Sequence, residues 1–149
     1  MQHFLVVLGS GESGVGAALL GKQKGYQVFV SDAGNIAPRY KKELIDNGIE
    51  FEEGQHNAAL ILTATEVMKS PGIPEKNEMV KAIRAKGIPV ISEIELAFRF
   101  KGDSKIVAIT GSNGKSTTTA LMYHICKTAG LDCAMVGNIG YSFAKQIAE

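Results

Sequence analysis

The chain has 149 residues, 45% of them hydrophobic, and sets 16 Lys and Arg against 15 Asp and Glu for a net charge of +1. That charge is spread evenly, 12 basic and 13 acidic side chains over 1–103 and 4 and 2 over 104–149, which argues against a dedicated nucleic-acid binder with its basic stripe. A chain of this length, with ordinary apolar content and no long polar tract, buries roughly 70% of its unfolded surface without disulfide staples, which excludes a disordered chain and leaves room for one domain plus part of a second.

Short apolar runs alternate with longer amphipathic stretches, the pattern of βα units and a mostly parallel sheet. Phe4–Leu8 is the first expected strand, and Gly14 to about Lys24 a helix ended by Gly25. Gln27–Ser31 is a second strand, followed by a helix at Arg39–Asn47 that Gly48 stops. Ile49–Glu52 alternates as a short strand, Asn57–Leu62 forms a short helix, and Glu66–Lys69 is a strand ending in Ser70-Pro71-Gly72. Pro74–Lys86 has Pro at a first-turn position and Gly87 after its end, both helix punctuation, with Val80, Ile83 and the Ala82/Ala85 pair on one apolar face.

Ile88–Ile91 is the next expected strand, and Glu93–Phe100 a helix with acidic residues where the macrodipole favours them. The polar, turn-forming Lys101-Gly102-Asp103-Ser104 marks a domain boundary. Beyond it, Lys105–Thr110 and Cys133–Val136 are expected strands around a helix at Lys115–Ala129, in which Leu121, Met122 and Ile125 look like core, and a last helix begins in Tyr141–Ala148. The fold class is therefore α/β: a Rossmann-like parallel-sheet domain over 1–103, then the first βαβ portion of a second domain over 104–149.

Seventeen glycines cluster at 9–16, 111–114 and 137–140. Gly9-Ser10-Gly11-Glu12-Ser13-Gly14 is a GxGxxG between strand and helix: the first glycine permits the turn, the second lets a ligand approach, the third lets helix pack on strand. Asp32, at the end of the second strand, stands where such folds contact a ribose. Glu12 inside the loop is a poor neighbour for a pyrophosphate, which points to a ligand that places its base or sugar here. The alternative, an NAD(P)-binding oxidoreductase, uses the same loop and Asp32 but leaves the second cluster unexplained.

That cluster, Gly111-Ser112-Asn113-Gly114-Lys115-Ser116-Thr117, is a short GxxGK[ST]. Successive N–H groups can wrap a phosphate, the Lys115 ammonium can reach β- and γ-oxygens, and the Ser116 hydroxyl can ligate Mg²⁺. A lysine at a helix start opposes the macrodipole unless an anion offsets it. Gly137-Asn138-Ile139-Gly140 frees backbone for close approach and offers an amide that both donates and accepts; with Ser70-Pro71-Gly72 it reads, taken singly, as easily as an ordinary turn.

Other residues keep plain roles. Cys126 and Cys133 form neither a CxxC nor a zinc spacing, and His3, His56 and His124 have no partner at telling spacing. The N-terminus has no basic n-region and no apolar run nears the ~18 residues of a membrane span, so a soluble cytoplasmic protein is expected.

In order and spacing, Ser70-Pro71-Gly72-Ile73, Glu93-Ile94-Glu95-Leu96, Gly111–Thr117 and Gly137–Gly140 resemble the ATP-dependent Mur ligases of peptidoglycan synthesis, the first two favouring the D-glutamate-adding branch. The resemblance implies a three-domain enzyme in which 104–149 is the first βαβ portion of a P-loop ATPase domain, and which uses ATP and Mg²⁺ to convert the carboxylate of UDP-N-acetylmuramoyl-L-alanine to an acyl phosphate that the amine of D-glutamate then attacks. It implies that Glu12, Ser13, Asp32 and Ala33 hold the uracil and ribose, that Ser70, Gly72 and Asn138 line the diphosphate, and that Gly111, Asn113, Gly114, Lys115, Ser116 and Thr117 hold ATP, with Ser116 on the metal and Lys115 catalytic. Some relatives carry Thr-Arg where this chain has Ala33-Gly34, so Asn35 or Arg39 are candidates for the missing uracil contacts. The resemblance puts a further acidic metal ligand, a carbamylated lysine and the D-glutamate site in segments that follow residue 149. The expectation is thus an N-terminal piece that binds nucleotide without turnover.

Overall fold

The computed structural model describes residues 3–149. In chain order its elements are β1 (Phe4–Leu8), α1 (Glu12–Gln23), β2 (Gln27–Asp32), α2 (Pro38–Asp46), β3 (Glu50–Glu53), α3 (Ala58–Ile61), β4 (Glu66–Lys69), α4 (Glu78–Ala85), β5 (Val90–Ile91), α5 (Glu93–Phe98), α6 (Lys115–Thr128) and α7 (Phe143–Ala148). The strands form one parallel sheet in the order β3-β2-β1-β4-β5.

Strand alternation sorts the core into two layers. Leu5 and Val7 of β1, Val28 and Val30 of β2 and Met68 of β4 pack on one face beneath α1, α2, α5 and α7. Phe4, Val6 and Leu8, with Phe29 and Val67, pack on the other beneath Ile61 of α3 and Val80 and Ile83 of α4. Every residue of β1 is buried, as a central parallel strand covered on both faces requires.

Several element boundaries move by a few residues, β5 among them shortening to Val90–Ile91. α4 starts at Glu78, not Pro74, because the Asn77 side chain accepts from the Met79 and Val80 amides and caps the helix there; of its expected apolar face, Ala85 is exposed. α1 starts at Glu12, inside the glycine loop.

Residues 105–136 depart from expectation. Neither Lys105–Thr110 nor Cys133–Val136 forms a strand ladder, and the one pairing there is an isolated bridge between Val136 and Tyr141. Helix α6 forms but buries none of its residues; Leu121, Met122 and Ile125, expected as core, are 57%, 39% and 54% exposed. A strand needs a neighbour to take up its N–H and C=O groups, and two candidates flanking one helix bury too little apolar surface to hold themselves together. By contrast α7, also beyond the expected boundary at 104, packs on α1 and α5 and places Phe143 and Ala144 in the first layer of the core.

Candidate functional site

From β1 the chain runs outward through β2 and β3, then returns to the other side of β1 for β4 and β5. The carboxyl ends of β1 and β4 therefore diverge into a crevice at a topological switch point, where open α/β sheets take their ligands. The first glycine loop lies on this crevice. Gly9 has a φ of +92° and donates its N–H to the Ser31 carbonyl at 2.9 Å. A side chain at Gly14 would set its Cβ 1.9 Å from the Gly9 carbonyl oxygen, so only glycine lets α1 leave this close to the strand. Across the crevice, Ser70 packs so tightly on Gly9 that a Cβ there would lie 2.7 Å from the Ser70 Oγ, a buried oxygen without a hydrogen-bond partner among the described residues.

Asp32 fastens this loop. Its Oδ2 accepts from the Ser10 N–H at 2.7 Å and from the Ser10 hydroxyl, and its Oδ1 accepts from the Gly34 N–H at 2.8 Å. Burial alone would raise the Asp32 carboxyl, but the Ser10 hydroxyl, the Gly34 and Ser10 amides and the nearby His56 outweigh it and hold the group below the usual carboxylate range. Ala33 and Gly34 are exposed beside it. Glu12 points to the neighbouring helix: the Tyr40 hydroxyl donates to its Oε2 at 2.9 Å, and Arg39 donates to the Tyr40 oxygen at 2.7 Å while lying 4.4 Å over the Tyr40 ring. Burial and the Glu12 carboxylate push the Tyr40 phenol upward. The Tyr40 hydroxyl thus links the Glu12 carboxylate to the Arg39 guanidinium.

Two cavities meet at the third glycine loop. One of about 420 Å³ is lined by Ser13, Lys69, Pro71, Glu93, Gly137 and Asn138, among others. A second, of about 360 Å³, shares Ile94, Gly137 and Asn138 and adds Phe98, Lys115 and Ser116. Gly137–Asn138 is therefore a common wall between the first-domain crevice and the Lys115 loop. The Lys69 Nζ donates to the Ile73 carbonyl at 2.7 Å and so closes the 70–73 turn, and it lies 3.4 Å from Glu75, which Arg84 also grips at 2.9 Å.

The Lys115 loop itself is open. Gly111 and Gly114 take φ values of +149° and +73°, and Gly114 stands at the N-cap of α6 without any side-chain cap. The first-turn amides of α6 consequently have neither intrahelical nor capping partners, which is the donor set an anion satisfies. The Lys115 ammonium turns back onto the Gly111 and Ser112 carbonyls, so the cation stays within the loop. These residues fit a nucleotide phosphate, with the exposed Ser116 hydroxyl free to meet a metal carried by it. Among the described residues there is no cluster of three or more His, Cys, Asp or Glu that would hold a metal alone.

Of the residues singled out from sequence, Ser13 and Asn138 line the first cavity, Asn138, Lys115 and Ser116 the second, and Asp32 and Ser70 fasten or abut the Gly9 loop. Gly111, Asn113, Gly114 and Thr117 stay on the exposed loop or helix start. Sequence reasoning missed the role of Tyr40, of Lys69 and of His56. The His56 Nδ1 lies 2.7 Å from the buried Ser31 hydroxyl, whose single proton goes to Glu52 at 2.6 Å, so the imidazole presents Nδ1–H to Ser31. It also missed Glu93, read as a helper of its own helix, whose carboxylate reaches Ala144 of α7 instead. The contacts of Tyr40, His56 and Glu93 have no signal in the spacing of the sequence, because each joins elements that only the fold brings together.

Residues 3–92 match the family model for the Mur ligase MurD-like N-terminal domain, and residues 109–148 that for the Mur ligase middle domain. The chain is 53% identical over 148 residues to a UDP-N-acetylmuramoylalanine--D-glutamate ligase of Porphyromonas gingivalis, covering 99% of this chain and 33% of that protein. It is 54% identical over 145 residues to the same-named enzyme of Bacteroides fragilis, covering 97% of this chain and 32% of that protein. It thus spans about a third of the length of these relatives. Among solved structures, a murein peptide ligase from Psychrobacter arcticus superposes with a TM-score of 0.64 at 26% identity, covering 87% of this chain and 27% of that one. A pseudomurein peptide ligase type C from Methanothermus fervidus gives 0.60 at 30% identity with the same coverage. With its switch-point crevice, its short GxxGK[ST] loop and a model match over more than half its length, this chain belongs to the Mur ligase family.

Proposed function

We propose that this chain is the nucleotide-binding portion of a cytoplasmic, ATP-dependent ligase that joins D-glutamate to UDP-N-acetylmuramoyl-L-alanine in peptidoglycan synthesis, and that by itself it binds without turnover. The observation that carries this reading is the shared wall: Gly137 and Asn138 line both the cavity that holds Ser13 and the cavity that holds Lys115 and Ser116. A substrate seated in the first cavity would meet a phosphate held in the second across a single loop. The high identity to relatives named for this reaction supports the choice of substrate.

In this reading 1–103 is the UDP-substrate domain and 104–149 the start of the ATP-binding domain. Glu12, Ser13, Asp32 and Ala33 surround the uridine, Ser70 and Gly72 offer hydroxyl and backbone to the diphosphate, and the Asn138 amide completes that contact. Arg39, held by Tyr40, supplies a guanidinium that can donate to a uracil carbonyl. The amides of Gly111–Thr117 cradle the ATP phosphates, Lys115 leaves its loop carbonyls for the phosphate oxygens, and Ser116 meets Mg²⁺. The metal, when bound, would neutralise charge on the transferring phosphoryl group. Amino-acid binding belongs to the rest of the protein.

Isothermal titration with UDP-N-acetylmuramoyl-L-alanine, ATP·Mg²⁺ and NADH tests this directly. Saturable heat with the UDP compound is expected. Heat with NADH and none with the UDP compound would replace the reading with a nicotinamide-binding one.

A further inference from the structure

Glu93 is a buried carboxylate, 6% exposed, at the start of α5. It has no work to do for its own helix, since the Ser92 hydroxyl already caps α5 by accepting from the Glu95 amide at 3.1 Å. Its carboxylate faces α7 instead. Oε1 accepts from the Ala144 N–H in the first turn of α7. Ser142 caps the same helix, its Oγ accepting from the Lys145 N–H at 3.0 Å.

Beneath these residues, Gly16 of α1 lies so close that a Cβ there would sit 2.0 Å from the Ser142 Oγ. The segment just before Ser142 is equally constrained. The Gly137 N–H donates to the Tyr141 carbonyl at 3.0 Å and Val136 bridges Tyr141, which closes 137–141 into a loop. The root of that loop is Ser142, the N-cap of the helix whose first turn Glu93 holds through Ala144.

A buried carboxylate without a cation is expensive to keep. Glu93 makes no ion pair among the described residues: α7 meets it with the Ala144 amide, α1 adds the like charge of Glu12, and burial pushes its carboxyl upward. Glu93 is also a wall of the cavity that Gly137 and Asn138 line.

The geometry points to Glu93 as a positioning residue for the diphosphate contact: by holding the first turn of α7 it fixes the Gly137–Gly140 loop and sets the Asn138 amide against the first-domain crevice. This rests on the reading of that cavity as the UDP-substrate site. It makes Asn138 and Glu93 parts of one device, so removing either should cost the same affinity.

The test is a double-mutant cycle on the 149-residue chain, reading the Kd for UDP-N-acetylmuramoyl-L-alanine by calorimetry at pH 7 and the β1 amide hydrogen exchange of each variant. Asn138→Ala is expected to weaken binding about tenfold. Glu93→Ala should weaken it by a similar factor with β1 protection unchanged, and the double variant should be no weaker than either single one. Glu93→Gln, which keeps an acceptor oxygen for Ala144, should recover most of the affinity. If Glu93→Ala loses β1 protection, Glu93→Leu, which fills the space but leaves the Ala144 N–H without an acceptor, carries the cycle and should weaken binding non-additively with Asn138→Ala. Affinity lost in Asn138→Ala but not in Glu93→Ala or Glu93→Leu, or losses that multiply in the double variant, would overturn the proposal and leave the cavity reading standing. Unchanged affinity in Asn138→Ala would overturn both.

Discussion

Residues 4–98 and residues 105–136 are written in the same local vocabulary, an apolar run, a glycine loop and a helix, and they end in different states. In the first region each apolar run finds strand neighbours on one or both sides and helices on both faces, and β1 is wholly buried. In the second the runs find no strand partner, and α6 leaves Leu121, Met122 and Ile125 in solvent. Local signals specify a helix or loop; a strand exists only where other strands complete it. The two glycine loops differ accordingly. Gly14 is compelled by space, with a carbonyl where its side chain would be, whereas Gly114 is compelled only by its φ of +73° and has open space around it.

Single substitutions break this comparison most visibly in the cores. Leu20→Ala, at a fully buried α1 position, should cost about 2–5 kcal/mol in urea unfolding, while Leu121→Ala on exposed α6 should stay within about 0.5 kcal/mol. Equal losses would mean that α6 has a covered face. Gly14→Ala should cost about 1–3 kcal/mol, because the obstructing atom is backbone and cannot rotate away. The matching Gly114→Ala is limited to the left-handed penalty of about 1–2 kcal/mol and, since its segment carries no core, should leave the main melting transition unmoved.

A smaller effect than either core substitution concerns Asp32. Its folded-state pKa lies below the ordinary value, so its contribution to stability is present above the unfolded carboxylate pKa and disappears as pH falls through the folded one. Asp32→Asn should therefore destabilise by about 1 kcal/mol at pH 7, and the difference from the unaltered chain should shrink in melts carried below the ordinary carboxylate range near pH 4. A difference that grew in acid would mean that the carboxylate is not what holds Ser10 and Gly34.

Much of the first region was legible in the chain. Phe4–Leu8 and Glu66–Lys69 form strands over the residues that their apolar runs mark, and the turn at Gly9 and the close packing at Gly14 follow from the way a βα turn must be built. The second region misled because Lys105–Thr110 and Cys133–Val136 have the composition of strands without the neighbours of strands. The fastening of the site was the least legible part. Asp32 carries a familiar place in the pattern, but its bonds to Ser10 and Gly34, the Glu12–Tyr40–Arg39 chain and the reach of Glu93 to Ala144 join residues up to 51 positions apart. No periodicity encodes such pairs.

Amide hydrogen exchange with and without saturating UDP-N-acetylmuramoyl-L-alanine tests the central claim most directly, since it reads both regions at once. Binding at the switch-point crevice predicts slower exchange at 9–14, 32–35, 70–73 and 137–140, with 111–117 unchanged until ATP·Mg²⁺ is added. Slowing confined to 111–117, or none at all at saturation, would contradict it.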